Sequence, residues 1–243
     1  IYVGSSGPSK NPSKKRNKLF INNKDNTFTE SANMWGVDDA GNTSTAAFFD
    51  FDNDGDLDMY LGNHALEYYS DINVPYRRTM KMNETSAQRF FENKGNKFIE
   101  ITKQAGMQAM GYCLSATPGD YNNDGLIDLY VCNDYHIPDF LYINKGNGTF
   151  KDECYSRVKH SSINSMGSDI ADVNNDGILD FITLDMLPEN PERLGRLLGP
   201  QDYDYIRVST KNGYGQQYMK NNLQMGIGNG LFSEQGYLYN VAR

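Results

Sequence analysis

The sequence predicts an all-β protein built from a repeated four-stranded antiparallel unit. The composition is the first sign: 23 Gly, 17 Tyr and 12 Phe in 243 residues, with Asn and Asp abundant and Leu, Ile and Val modest. That mix suits short strands joined by tight turns better than helices. The second sign is an acidic nine-residue frame that occurs three times and each time runs into an apolar strand. The third is a pair of short strands around a polar turn, which occurs four times.

The acidic frame reads D-x-[DN]-x-D-G-x-x-D. Its first copy supplies Asp50, Asp52, Asp54, Asp56 and Asp58. The second supplies Asp120, Asn122, Asp124, Leu126 and Asp128, and the third Asp172, Asn174, Asp176, Ile178 and Asp180. Positions 1, 3 and 5 turn short oxygen side chains to one side of a tight loop. Glycine at position 6 permits the turn, the backbone carbonyl at position 7 faces the same point, and the acid at position 9 closes the shell. Like charges this close repel one another unless a cation offsets them. All-oxygen ligation with this many donors suits Ca2+ better than Mg2+, so three calcium sites are expected. A helical EF-hand is excluded, because position 12 would have to be a bidentate Glu and is Leu61, Val131 or Thr183.

The repeat gives the order of the chain. Strand A leads into the acidic loop (Ala46 to Asp50, Ala116 to Asp120, Gly167 to Asp172) and strand B leaves it (Met59-Tyr60-Leu61, Leu129-Tyr130-Val131, Phe181-Ile182-Thr183). Strands C and D form the hairpin: Leu19 to Asn22 with Phe28 to Glu30, Phe90 to Asn93 with Phe98 to Glu100, Leu141 to Asn144 with Phe150 to Asp152, and Leu223 to Met225 with Phe232 to Glu234. The expected units are a partial one at 1–30 and full ones at about 44–101, 113–153 and 166–234, with insertions 63–89 and 185–221. Ile1-Tyr2-Val3-Gly4 aligns with the B strands, and the repeat is incomplete at Arg243, so a segment of a longer array is expected. Four-stranded units of this kind build β-propellers, whose radial packing leaves only short edges.

The stretches FDFDNDGDLDMYLGN and FFENKGNKFIE resemble the FG-GAP or VCBS repeats, the calcium-binding blades of integrin α-chains. The resemblance covers nearly the whole chain. Leu187 to Gly230, with Leu198-Gly199-Pro200 and Tyr218, is similar to the ASPIC/UnbV-associated VCBS proteins, a group that includes cartilage-acidic-protein-like and bacterial surface proteins. The resemblance implies a propeller of about seven blades in a full domain, and a location outside the cell or on its surface, such as that of a bacterial surface lipoprotein.

Alternating strand direction would put every A–B loop on one face and every B–C connection on the other. The long connections are all of the B–C kind: Ser5 to Asn17, Asn63 to Arg89 and Asp185 to Asn221. Insertions in a repeat fold collect on the binding face. Tyr68, Tyr69, Tyr76, Arg77 and Arg78 lie in the second, a Tyr/Arg mix enriched at interfaces. Tyr203, Tyr205, Arg207, Tyr214 and Tyr218 lie in the third, after an expected short helix with Asn190 as N-cap, Pro191 in its first turn and Gly199 at its end. These aromatics could equally pack the insertions onto the rim. Lys10, Lys14, Lys15 and Arg16, with Lys18 just beyond, make the first insertion basic, a solvated loop or an anion site.

The net charge of −8 is no guide to a partner, because 11 of the 31 acids lie in the three loops and three divalent cations would leave about −2. No nucleic-acid footprint, signal peptide or membrane-length apolar run is visible. Cys113, Cys132 and Cys154 form neither a disulfide framework nor a metal motif. His64 and His136 both follow a B strand, without an acid or thiol at a defined spacing. No catalytic residue is assigned. The expected function is a non-enzymatic binding or scaffolding module for a protein or glycan at the cell surface. A carbohydrate-active hydrolase or lyase, or a structural subunit of a surface assembly, are the competing readings.

Overall fold

A computed structural model describes residues 1–7, 15–65, 86–186, 190, 192–193 and 203–242. Four consecutive antiparallel units, here called blades, follow one another along the chain. Blade 1 has three strands, β1 (Tyr2–Val3), β2 (Lys18–Asn22) and β3 (Phe28–Glu30), hydrogen-bonded in that order. Blade 2 is β4 (Thr43–Phe49), β5 (Asp58–Asn63), β6 (Arg89–Asn93) and β7 (Phe98–Glu100). Blade 3 is β8 (Cys113–Gly119), β9 (Asp128–Asn133), β10 (Phe140–Asn144) and β11 (Phe150–Asp152). Between it and blade 4 lie a short helix, Cys154–Val158, and β12 (Ser161–Ser162). Blade 4 is β13 (Gly167–Ala171), β14 (Asp180–Leu184), β16 (Asn222–Gly226) and β17 (Phe232–Glu234); β15 (Gln217–Tyr218) pairs in parallel with β12.

The A–B–C–D order therefore holds in each full blade, and successive strands are antiparallel throughout. Alternation along each strand sends side chains to the two faces of the sheet. In blade 2, Ala46, Met59, Leu61, Phe91 and Phe98 turn towards blade 1, where they meet Leu19, Ala32 and Val37. The intervening Ala47, Phe49, Tyr60 and Phe90 turn towards blade 3 and meet Leu129, Val131, Phe140 and Phe150. The remaining face of blade 3, with Tyr130, Leu141 and Ile143, packs on Phe181 and Phe232 of blade 4. The core is thus three slabs, each between two sheets, while strand D of blades 2 and 3 leaves Ile99, Glu100, Lys151 and Asp152 exposed.

Polar links run across the same junctions. Asn17 Nδ2 donates to Thr43 Oγ1 at 2.7 Å between blades 1 and 2. Asn144 Nδ2 donates to Phe51 O at 2.7 Å between blades 2 and 3, and Thr117 Oγ1 to Ser168 O at 3.1 Å between blades 3 and 4. Phe90 is fully buried and packs on Phe49, Phe51 and Phe150, with ring centroids 5.8, 5.1 and 5.5 Å away. Phe90→Ala is expected to destabilise the protein by about 3–5 kcal/mol, read as a lowered urea midpoint at constant slope.

Candidate metal centres and the face opposite them

The three acidic loops are one structure repeated. At position 1, the carboxylate accepts the backbone N–H of positions 5 and 6. Asp50 takes those of Asp54 and Gly55 at 3.2 and 3.0 Å, Asp120 those of Asp124 and Gly125 at 3.0 and 2.8 Å, and Asp172 those of Asp176 and Gly177 at 3.1 and 2.9 Å. The position 5 acid accepts the N–H of position 7, from Asp56, Leu126 or Ile178. Position 9 reaches further. One oxygen of Asp58, Asp128 and Asp180 accepts the N–H of position 2 (Phe51, Tyr121, Val173), and the other accepts the N–H at the end of strand C (Asn93, Asn144, Gly226), at 2.8 Å in all three.

The chain reverses inside each loop through two residues of positive φ. Gly55, Gly125 and Gly177 have φ of 92°, 85° and 82°, with open space where a Cβ would sit. Asn53, Asn123 and Asn175, at position 4, all have φ of 60°. Position 4, free in the sequence frame, is Asn every time. Asn is the side-chain-bearing residue that tolerates this left-handed conformation best, so the signal was present.

Asp50, Asp52 and Asp58 bring carboxylate oxygens within 4.8 Å of one another. In the other two loops the third position is Asn122 or Asn174, whose Nδ2 donates to Asp124 or Asp176 at 2.8 and 2.9 Å. Burial pushes the carboxyls of Asp58 and Asp128 up to about 7, against the backbone N–H groups that hold them, and neighbouring loop acids push the same way. Asp52 is also raised, by burial and then by Asp54. These are the marks of concentrated negative charge: oxygen donors fixed by backbone amides and crowded by each other. The first loop could hold a cation through Asp50, Asp52, Asp54, the carbonyl of Asp56 and Asp58. The others would use Asp120, Asn122, Asp124, Leu126 and Asp128, and Asp172, Asn174, Asp176, Ile178 and Asp180.

The antiparallel order puts the B–C connections at the other end of the strands, opposite the acidic loops. Much of what was expected there, including Lys10, Lys14, Tyr68, Tyr69, Tyr76, Arg77, Arg78, Pro191 and Gly199, lies outside the described residues. Asn190 does act as a cap: its Oδ1 accepts the N–H of Glu192 and Arg193 at 2.8 and 3.2 Å. A helix that sequence reading missed follows at Tyr203–Lys211. Tyr214 is wholly buried and joins the slab between blades 2 and 3, far along the sequence from its partners. Its carbonyl accepts Tyr155 Oη at 2.6 Å and Gln217 Nε2 at 2.9 Å, while Gln217 also reaches His136 O at 3.0 Å. This insertion therefore packs down on its neighbours, as does Tyr218, whose ring meets His160. His64 lies edge-on to Tyr112, and His136 to Tyr214. Arg16 pairs with Asp38 at 2.6 Å.

Sequence reading also missed Asp139. It is fully buried on the B–C side of blade 3 and accepts Asn133 N at 2.8 Å, Tyr130 Oη at 2.7 Å and Ser165 Oγ at 2.5 Å. Ser165 lies on the segment that enters blade 4, so this carboxyl joins two blades. Burial pushes it up to about 7, opposed by the three donors and aided by Asp185. The folded protein thus holds a proton here that the unfolded chain, with an ordinary Asp near 3.9, releases earlier. The resulting stabilisation is complete below about pH 4 and is lost as pH rises through about 7. In Asp139→Asn, the fall in melting temperature between pH 4.5 and 7.5 is expected to be shallower than in the parent.

A family model described as FG-GAP-like repeat matches residues 1–61 and 120–183, covering blade 1, the first acidic loop and strands A and B of blade 2, and the second and third acidic loops with their following strands. No curated protein matches the chain.

Proposed function

The chain belongs to the FG-GAP-like repeat family, and from that premise we propose that it is a calcium-stabilised, non-enzymatic binding or scaffolding module of the cell exterior. The observation that carries the calcium reading is the threefold recurrence of the same loop frame, whose first copy brings three carboxylates within 4.8 Å of one another. Each holds its position 1, 5 and 9 carboxylates on the same backbone N–H groups, and among the described residues no Lys or Arg forms an ion pair with a loop acid, Lys94 near the first loop being paired with Glu92. A carboxylate oxygen that accepts one N–H still has a lone pair, so the hydrogen bonds orient donors without using them up. A divalent cation bound there would offset the mutual repulsion and tie strand A to strand B. Within the family, Leu187 to Gly230 supports placing the chain near the ASPIC/UnbV-associated proteins of bacterial surfaces.

Partner binding is assigned to the B–C face, for a protein or glycan. The acidic loops occupy the other face and are already engaged with the backbone, while the B–C connections are long and carry the aromatic and basic residues. No helix among the described residues is long and apolar enough to cross a membrane.

Excess chelator is expected to lower the melting temperature, calcium to restore it and magnesium to restore it poorly, because magnesium demands a tighter octahedral shell. An unchanged melting curve in chelator would sink the structural role of calcium. Asp124→Ala should raise amide exchange in β8 and β9 and leave partner binding intact. Loss of glycan or protein binding in that variant, with blade 3 still protected, would instead put the partner on the loop face.

A further inference from the structure

One buried side chain joins the first acidic loop to the second. Asn144 ends strand C of blade 3, and its backbone N–H donates at 2.8 Å to Asp128, the acid that closes the second loop. Asn144 is 2 % exposed. Its Nδ2 donates at 2.7 Å to the carbonyl of Phe51, position 2 of the first loop, and at 3.3 Å to that of Ile127 in the second. The N–H of Phe51 donates in turn to Asp58, the acid that closes the first loop, at 3.1 Å. A continuous path of hydrogen bonds therefore runs between the two closing acids through only two residues. Phe150, the cross-strand partner of Asn144, grips the same Phe51 by its ring, with centroids 6.1 Å apart.

The next junction has the apolar half of this arrangement without the polar half. Phe232 meets Tyr121, position 2 of the second loop, with centroids 6.3 Å apart. Its cross-strand partner is Gly226, whose N–H donates to Asp180 at 2.8 Å but which has no side chain to donate onward. A Cβ there would lie 2.5 Å from Ile178 Cγ2 and 2.6 Å from Leu179 O, so the position is closed to a longer residue. The blade 4 hairpin does come against the second loop, since a Cβ on Gly230 would lie 2.7 Å from Asn122 Cβ. Among the described residues, however, no hydrogen bond joins the second loop to the third.

We propose that Asn144 couples the first two loops as metal sites, so that each binds calcium more tightly when the other is filled, while the third binds independently. The inference rests on the calcium reading given above. Filling the second loop fixes Asp128 and, through it, the end of strand C. The Asn144 amide then holds the Phe51 carbonyl, and the first loop has less conformational freedom left to lose when its own acids close. The amide cannot let go cheaply, because a donor and an acceptor would be left buried without partners. Repulsion between two bound ions acts in the opposite sense, but the carboxylates of each loop offset the charge of their own ion. The coupling is a single free energy, so it must be reciprocal.

Equilibrium dialysis of the full chain against calcium chloride tests this, with single loops disabled by Asp54→Ala, Asp124→Ala or Asp176→Ala. In the Asp176→Ala background, disabling the second loop is expected to weaken the first about fivefold or more, and disabling the first to weaken the second by the same factor. In the Asp54→Ala background, the third loop should bind equally well with the second loop intact or disabled. Asn144→Ala should abolish the coupling of the first pair and leave the affinity of the third loop unchanged, which also reports that blade 4 is intact. The contrast between the two junctions is read with Asn144 in place, so it decides the matter even where Asn144→Ala fails to fold. Independent first and second loops overturn the proposal, as does equal coupling to the third loop or coupling that survives Asn144→Ala. Bound calcium with independent sites overturns this inference alone, whereas a parent chain that binds none overturns the calcium reading and this inference with it.

Discussion

The structure depends on one carboxylate in each of blades 2 to 4, the acid that closes the loop. Asp58, Asp128 and Asp180 each accept one N–H from the start of their own loop and another from the end of strand C. A single side chain thereby joins the A–B loop to the C–D hairpin. The hairpin cannot slide along strand B without breaking that bond, and a slip of one residue would turn every side chain to the opposite face. Charged acceptors make stronger hydrogen bonds than neutral ones, which suits a clamp used three times. The cost is a buried carboxyl among other acids, visible in the raised position of Asp58 and Asp128.

Fixed register decides where the apolar side chains go. Alternate residues of the central strands face adjoining blades, so β5, β9 and β10 are buried along their whole length. Stability is therefore stored between blades rather than within them. Phe90, Tyr130 and Phe181 each lie in a slab shared by two blades. Phe28 of blade 1 and Val173 of blade 4 are exposed, whereas their counterparts between described blades are buried.

The two ends of the strands have separate physical characters. At one end, short loops are held by backbone hydrogen bonds and concentrate negative charge. At the other, the described part of the last insertion folds back on the sheets. Tyr214, Gln217 and Tyr155 tie the last insertion to blade 3, and Asp139 binds blade 3 to the segment entering blade 4. The B–C face is thus supported by a rigid, partly polar floor. Supported connections of this kind can present a surface to a partner with little loss of conformational freedom.

The sequence by itself determined the repeat, the strand order, the loop residues and the face each connection occupies. Those properties follow from local rules: two-residue alternation, turn chemistry and charge spacing act over fewer than about a dozen residues. Even the left-handed Asn53, Asn123 and Asn175 were legible in principle, since the same residue stands at the same loop position three times. Only the tertiary structure decided the rest. Tyr214 enters a slab built mainly from blades 2 and 3, Asp139 finds Ser165, and His160 meets Tyr218 and Glu234 across large sequence separations. Nothing in a linear pattern distinguishes a tyrosine that will be buried from one that will face water. That choice depends on which distant surface is left uncovered once the blades have stacked.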